Sequence, residues 1–171
     1  MLATTIHHAH MPPLGTVRSH WTERGLYRLE WGPTELNPPE PSANETVSSE
    51  CRGWIDDLEH RLQTFFVTGG DVFLGVVVDP TGWTTFRHRV YQQCRKIPAG
   101  STCTYQQLAA MAGSPKAARA VGAAMASNRV PLVIPCHRVV SAGGDLRGFS
   151  APGGLETKRM LLQLEPIRKG V

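Results

Sequence analysis

"TYQQLAAMAGSPKAARAVGAAMASN", residues 104–128, describes two short helices separated by a turn. Thr104 followed by Gln107 has the form of a capping box, in which each side chain satisfies a backbone N–H of the other residue. Gly113 stands where a C′ glycine would end the first helix. Ser114 reads as the N-cap of a second helix, with Pro115 at its first position. Two helices joined by so short a turn predict a helix-turn-helix. In the second helix Ala117, Val121 and Ala124 share a face that should pack inward. Lys116, Arg119 and Ala123 lie on another face, and Ala118, Gly122 and Ala126 keep the surface shallow. Glycine inside a helix is unfavourable by about 1 kcal/mol. Gly122 therefore marks either close helix–helix packing or a partner that approaches the backbone. Arg119 and the local positive charge favour a DNA backbone as that partner.

Working outward, "TTFRHRVYQQCRKI" (84–97) predicts a helix that buries Phe86, Val90 and Cys94 and exposes Arg87, Arg89, Arg95 and Lys96, stopped by Pro98 and Gly100. Beyond it no strand is expected except the short "LVI" run (132–134). A closing helix at about 153–165 should bury Leu155, Leu161, Leu162 and Leu164 and show Lys158 and Arg159. Glu165 at its C-terminal end opposes the helix dipole, so it is either solvated or held by a cation. Toward the N-terminus, "GTVRSHWTERGLYRLEW" (15–31) predicts a hairpin turning at "TERG". Residues 32–50 are rich in Pro, Ser and Glu and predict a mobile loop. Residues 53–66 predict a helix from the spacing of Trp54, Ile55, Leu58, Leu62, Phe65 and Phe66, and "VFLGVVV" (72–78) predicts a buried strand. The expected fold is an α/β N-terminal unit, a small sheet plus a helix over residues 1–80. A mostly α C-terminal domain with a helix-turn-helix follows over residues 81–171.

The chain has 171 residues, 41% of them hydrophobic, a globular composition with no apolar run near membrane-spanning length. The N-terminus lacks the charged and apolar regions of a secretory signal. Four widely spaced cysteines, with no C-x-x-C, fit a reducing compartment such as the cytoplasm. Residues 1–80 carry 5 Lys and Arg against 11 Asp and Glu, a balance of −6, whereas residues 81–171 carry 13 against 3, a balance of +10. A polyanion partner is expected for the second half.

"VIPCHRVV" (133–140) places a thiol, an imidazole and a guanidinium side by side in an apolar run. A buried cysteine is often just a small hydrophobe, which is the expectation for Cys94 and Cys103. Beside Cys136, however, His137 and Arg138 would lower a thiol pKa and create a nucleophile. Consecutive strand residues face opposite ways, so a working Cys–His pair here needs a turn or a bridging water.

"IPCHRVV" resembles the active-site motif of the O6-alkylguanine-DNA alkyltransferases, the methylated-DNA–protein-cysteine methyltransferases. Residues 104–140 resemble that family's helix-turn-helix, asparagine hinge and cysteine loop in unbroken order, and "GGLETKRMLLQLE" (153–165) resembles its closing helix. The resemblance is specific over about residues 84–165 and only architectural over 1–80. It implies DNA repair by single-turnover, self-inactivating transfer of the alkyl group of O6-alkylguanine, and of O4-alkylthymine, to Cys136 after base flipping. His137 matches a base acting through a water, Glu165 the carboxylate that orients it, and Asn128 the hinge. Tyr105, Phe149 and Ser150 match the guanine pocket, with Ala151 able to take the place of Ser150. The carbonyls of Cys136 and Val139 match acceptors for the guanine amino group. Arg119 matches the finger that fills the vacated stack, and Lys116, Ala118, Gly122 and Arg138 are expected on the DNA side. The implied partner is double-stranded DNA, met in the minor groove by a monomer located in the cytoplasm and on the nucleoid, with no membrane, cofactor or metal. Phe149 stands where many members have tyrosine. Arg129 follows Asn128 where proline is common, which implies a less rigid hinge. "HHAH" (7–10) and Cys51 do not reproduce the zinc site of some members, so the histidines read as solvated or disordered. Two alternatives stand beside this reading: a lesion-binding relative that does not transfer the alkyl group, and a helix-turn-helix regulator.

Overall fold

The computed structural model describes residues 5–32, 48–144, 146 and 148–166. The expected mobile loop falls mostly outside them. A three-stranded sheet, a short two-stranded pair and helices make up the described chain, and buried residues from both halves form one continuous core.

Three antiparallel strands open the fold: β1 (Thr5–Met11), β2 (Gly15–Thr22) and β3 (Gly25–Gly32), in that spatial order. The β2–β3 hairpin turns at the predicted place, and Gly25 adopts φ 124° there. β1 shows the histidines ordered, because His7, His8 and His10 pair with Ser19, Arg18 and Thr16, and it leaves His10 exposed to solvent. Alternation divides the sheet into two faces. Val17, Trp21, Leu29 and Trp31 are buried, whereas Arg18, His20 and Arg28 are not. Helix α1 (Ser49–Thr68) covers the apolar face with Cys51, Ile55, Leu58, Leu62 and Phe65, and Trp54 stacks on Trp21 at 6.4 Å. Ser48 caps its start by accepting the Cys51 N–H.

The 72–78 run is not a strand. Its one ladder element is a bridge between Val78 and Leu26, made by the Leu26 N–H to the Val77 carbonyl and the Asp79 N–H to the Leu26 carbonyl, both 2.9 Å. The chain turns at Leu74–Gly75, which leaves Leu74 and Val77 exposed, and the free carbonyls go elsewhere. Arg95, expected to be exposed, donates from Nη2 to the carbonyls of Phe73, Leu74 and Val76 at 2.9–3.0 Å. A guanidinium at the end of a helix thus replaces a strand partner, something hydrophobic periodicity cannot reveal.

Helix α2 (Thr85–Cys94) buries Val90, Tyr91 and Cys94. The Tyr91 hydroxyl donates to the Ala124 carbonyl at 2.7 Å, tying α2 to α4 (Ala118–Ala126). The Thr104–Gln107 capping box forms at the start of α3 (Tyr105–Met111), and Gly113 leaves that helix with φ 75°. The second helix starts later than expected. The Ala117 N–H bonds to the Ser114 carbonyl in a separate turn, and α4 begins at Ala118 without a side-chain cap. Val121, Ala124 and Met125 pack inward while Lys116 and Arg119 are exposed. A side chain at Gly122 would meet nothing within 4 Å, so tight helix packing does not explain that glycine.

Two further corrections concern the end of the chain. A short parallel pair, β4 (Cys103–Thr104) with β5 (Val139–Val140), forms where no strand was expected, and "LVI" is a turn. In α5 (Gly154–Leu164) Leu161 and Lys158 are buried and Leu155 is exposed, the reverse of the expected burial of Leu155 and exposure of Lys158. No helix among the described residues is long and apolar enough to cross a membrane.

Arg95→Ala should destabilise the fold by about 1–3 kcal/mol, since partly buried carbonyls lose their charged donor. Urea denaturation measures this, and an unchanged midpoint would show that water replaces the guanidinium without penalty.

Candidate active site

Cys136, His137 and Arg138 form one turn of 3-10 helix. This turn resolves the alternation problem, because adjacent residues in it need not face opposite ways. Upstream, Asn128 Nδ2 donates to the Ile134 carbonyl at 2.9 Å, and its Oδ1 accepts the Val130 N–H at 3.1 Å. The asparagine thereby shapes the loop that delivers Cys136.

His137 and Glu165 are both buried, and His137 Nε2 lies 2.8 Å from Glu165 Oε1. Because the carboxylate accepts that N–H, Nδ1 keeps the lone pair in the neutral ring. Among the described residues Nδ1 has no hydrogen-bond partner. Burial pushes the His137 pKa down from 6.5, against the pull of Glu165, so the ring stays a neutral base. Burial alone would raise the Glu165 carboxyl, but hydrogen bonds from His137, Arg138 and the Gly100 N–H outweigh it and hold it low. The cationic partner that sequence left open is therefore present.

Arg138 corrects an expectation. It is buried, not on the DNA side: it donates to Glu165 at 2.9 Å, to Asp71 at 3.0 Å and to the Ile97 carbonyl at 2.6 Å. Lys158 was also missed. Its Nζ donates to the Val139 carbonyl at 2.7 Å, which leaves that oxygen one lone pair. Lys158, Leu161 and Glu165 follow one another at helical spacing, and this was the available signal.

Burial raises the Cys136 thiol, partly offset by the Asn128 hydrogen bond and the Lys158 charge. The group rests as a thiol beside a neutral base. Burial raises the Tyr105 phenol too, and the Cys136 charge adds to the rise. Cys136 opens on a cavity of about 380 Å³ with Asn128, Arg129, Pro131, Ser150, Ala151 and Pro152 in its lining. Phe149 is half-buried against the core behind Ser150. The opposite wall, from β2 and β3, carries Arg18, Arg28, Glu30 and Trp31 and was not foreseen. Arg129 is tied to the N-terminal half of the chain. It lies 3.9 Å from the Tyr27 ring and donates to the carbonyls of Asp79 and Thr81 at 2.8 and 2.7 Å. Among the described residues no group of three or more His, Cys, Asp or Glu could hold a metal ion.

Lys116, Arg119, Ala118 and Gly122 lie together on or beside the outer surface of α4, clear of the buried network. The family profile described as 6-O-methylguanine DNA methyltransferase, DNA binding domain, matches residues 85–167. A human methylated-DNA–protein-cysteine methyltransferase is 34% identical over 167 residues, covering 92% of this chain and 79% of that protein. The chain belongs to this family. The Kluyveromyces lactis member is 36% identical over 119 residues, 70% of this chain and 62% of that protein. The crystal structure of Mycobacterium tuberculosis OGT in complex with DNA superposes with a TM-score of 0.68 at 31% identity, covering 93% and 91% of the two chains.

The depressed His137 pKa has a fixed sign. The unfolded ring takes a proton below about 6.5 and the folded ring does not, so this contribution to stability is lost as pH falls. Wild-type stability should drop by up to about 1.4 kcal/mol per pH unit below that point relative to His137→Gln. Urea denaturation across the range measures it, and a difference that stays flat with pH would mean the folded ring is already protonated.

Proposed function

We propose that this protein repairs DNA by transferring the alkyl group of O6-alkylguanine, and of O4-alkylthymine, to its own Cys136. The observation that carries the reading is a cavity-lining cysteine followed directly by a buried histidine that a carboxylate holds in one tautomer. Family membership supplies the substrate class.

The alkyl carbon is hidden in the duplex, so the nucleotide must leave the stack, at a cost of a few kcal/mol. Arg119 fills the vacated space, while Lys116, Ala118 and Gly122 meet the minor-groove backbone. A helix of small residues permits close approach and needs little base readout. Residues 81–171, with their balance of +10, form the DNA-binding and acceptor part, and residues 1–80 support it. Tyr105, Phe149 and Ser150 enclose the guanine, and the Cys136 and Val139 carbonyls accept from its amino group.

His137 Nδ1 takes the thiol proton through a water. The sulfur attacks the alkyl carbon, the C–O6 bond breaks with its electron pair on oxygen, and the proton ends on guanine. The thioether has no ready route back to a thiol, so each molecule acts once, as a monomer and without a cofactor. The site of action is the cytoplasm, on the nucleoid.

Incubation with an oligonucleotide containing O6-methylguanine should add one methyl group to the intact protein, mapped to Cys136 and absent in Cys136→Ala. A methyl group on Cys94 or Cys103, or activity retained without Cys136, overturns the assignment.

Arg119→Ala should reduce the salt dependence of DNA affinity by about one unit of slope, because one phosphate contact is lost. Repair in duplex DNA should fall far more than reaction with a free O6-substituted guanine base, which needs no flipping. Equal slowing of both substrates would make Arg119 a structural residue.

A further inference from the structure

The cavity that exposes Cys136 has a second wall, and that wall is charged. Arg18 and Arg28 reach it from the face of the sheet turned away from α1, with Glu30 between them. Arg18 pairs in register with Glu30, and His20 with Arg28, so all four side chains share that face. This positive wall belongs to the half of the chain whose balance is −6.

Glu30 does not saturate the two guanidinium groups. It holds Arg28 Nε at 2.8 Å, but Arg18 Nη1 only at 3.4 Å, and it also meets His20 at 3.3 Å. A guanidinium carries five N–H donors. Arg18 Nε is buried and has no hydrogen-bond partner among the described residues. On its other side in the ladder stands His8, an imidazole, which carries no negative charge in either protonation state. The wall therefore presents donors, net positive charge and a shortage of acceptors.

We infer that Arg18 and Arg28 are specificity-determining residues that recognise O6 substituents ending in a carboxylate and raise the rate of their transfer relative to methyl. The inference rests on the transfer reaction proposed above. With the reacting carbon at Cys136, what lies beyond that carbon shares the same cavity, and the sheet supplies part of its lining. A guanidinium matches a carboxylate in a two-pronged geometry that no methyl group can use. The chemistry is otherwise unchanged. Sulfur bonds to the methylene carbon, the C–O6 bond breaks with its pair on O6, and the thiol proton ends on guanine. The product is S-carboxymethylcysteine with its carboxylate intact.

The experiment compares single-turnover rate constants on two duplexes that differ only in O6-methylguanine or O6-carboxymethylguanine. In Arg18→Gln the carboxymethyl-to-methyl ratio should fall about tenfold, the loss of one charge-assisted hydrogen bond, and Arg18→Lys should recover much of it. If Arg18→Gln does not fold, Arg28→Gln is the second variant, since that side chain is 55% exposed, and the ratio should fall there too. An unchanged ratio overturns the inference. That outcome takes two forms. If the arginines meet a DNA phosphate, both rates fall together and the salt slope drops by about one unit. If they meet no ligand, neither rate moves. A wild-type protein that transfers no methyl group at all would overturn the underlying reaction, and the inference with it.

Discussion

The carboxylate of Glu165 is the contact on which the centre of this protein depends. It lies one residue beyond α5, where the helix dipole is unfavourable to negative charge, and it is almost fully buried. Three sources of N–H answer it: His137, Arg138 and the backbone of Gly100. Arg138 extends the network to Asp71 and to the Ile97 carbonyl. The 69–72 segment, the loop after α2, the cysteine turn and the end of α5 therefore meet at one charge. Removing one partner of such a buried pair typically costs about 3–5 kcal/mol, because the other is left uncompensated. The same contact has a chemical consequence. Glu165 keeps the proton of the neutral imidazole on Nε2, so the remaining nitrogen is the basic one.

The N-terminal half takes part in the site as well as supporting it. Its sheet packs one face on α1 and turns the other toward the cavity. The hinge is fastened to the same half: the Leu29 N–H donates to the Arg129 carbonyl at 2.8 Å, and the Arg129 guanidinium lies against Tyr27. Asp79, fully buried, accepts from the Thr22 hydroxyl at 2.7 Å and secures the strand end beside that clasp. An arginine held by an aromatic ring and two carbonyls fastens the hinge residue through tertiary contacts, where a proline would restrict its own φ.

The features legible in the sequence are those whose physics is local. The Thr104–Gln107 box, the turn at Gly113, the hairpin at Gly25 and the amphipathic stripe of α1 involve partners within a few residues of one another. The features misread are those whose partners are distant. "VFLGVVV" has the composition of a strand, but Arg95 takes three of its carbonyls. "LVI" was similarly diverted by Asn128, which is bonded to the Ile134 carbonyl. On α5 the hydrophobic pattern pointed to the face bearing Leu155, yet the helix buries Lys158 because the Val139 carbonyl accepts its ammonium group.

The sequence by itself determined the order of the helices, the acidic and basic halves, and the cysteine motif with its family resemblance. Each depends on composition, spacing or short-range hydrogen bonding. Only the tertiary structure decided that Arg138 is a buried partner of Glu165 and not a DNA contact, that Lys158 is internal, and that Arg18 and Arg28 face the thiol's cavity. The reason is the same in each case. A long charged side chain is placed by whichever oppositely charged or accepting group can compensate its desolvation, and here that group comes from a distant part of the chain.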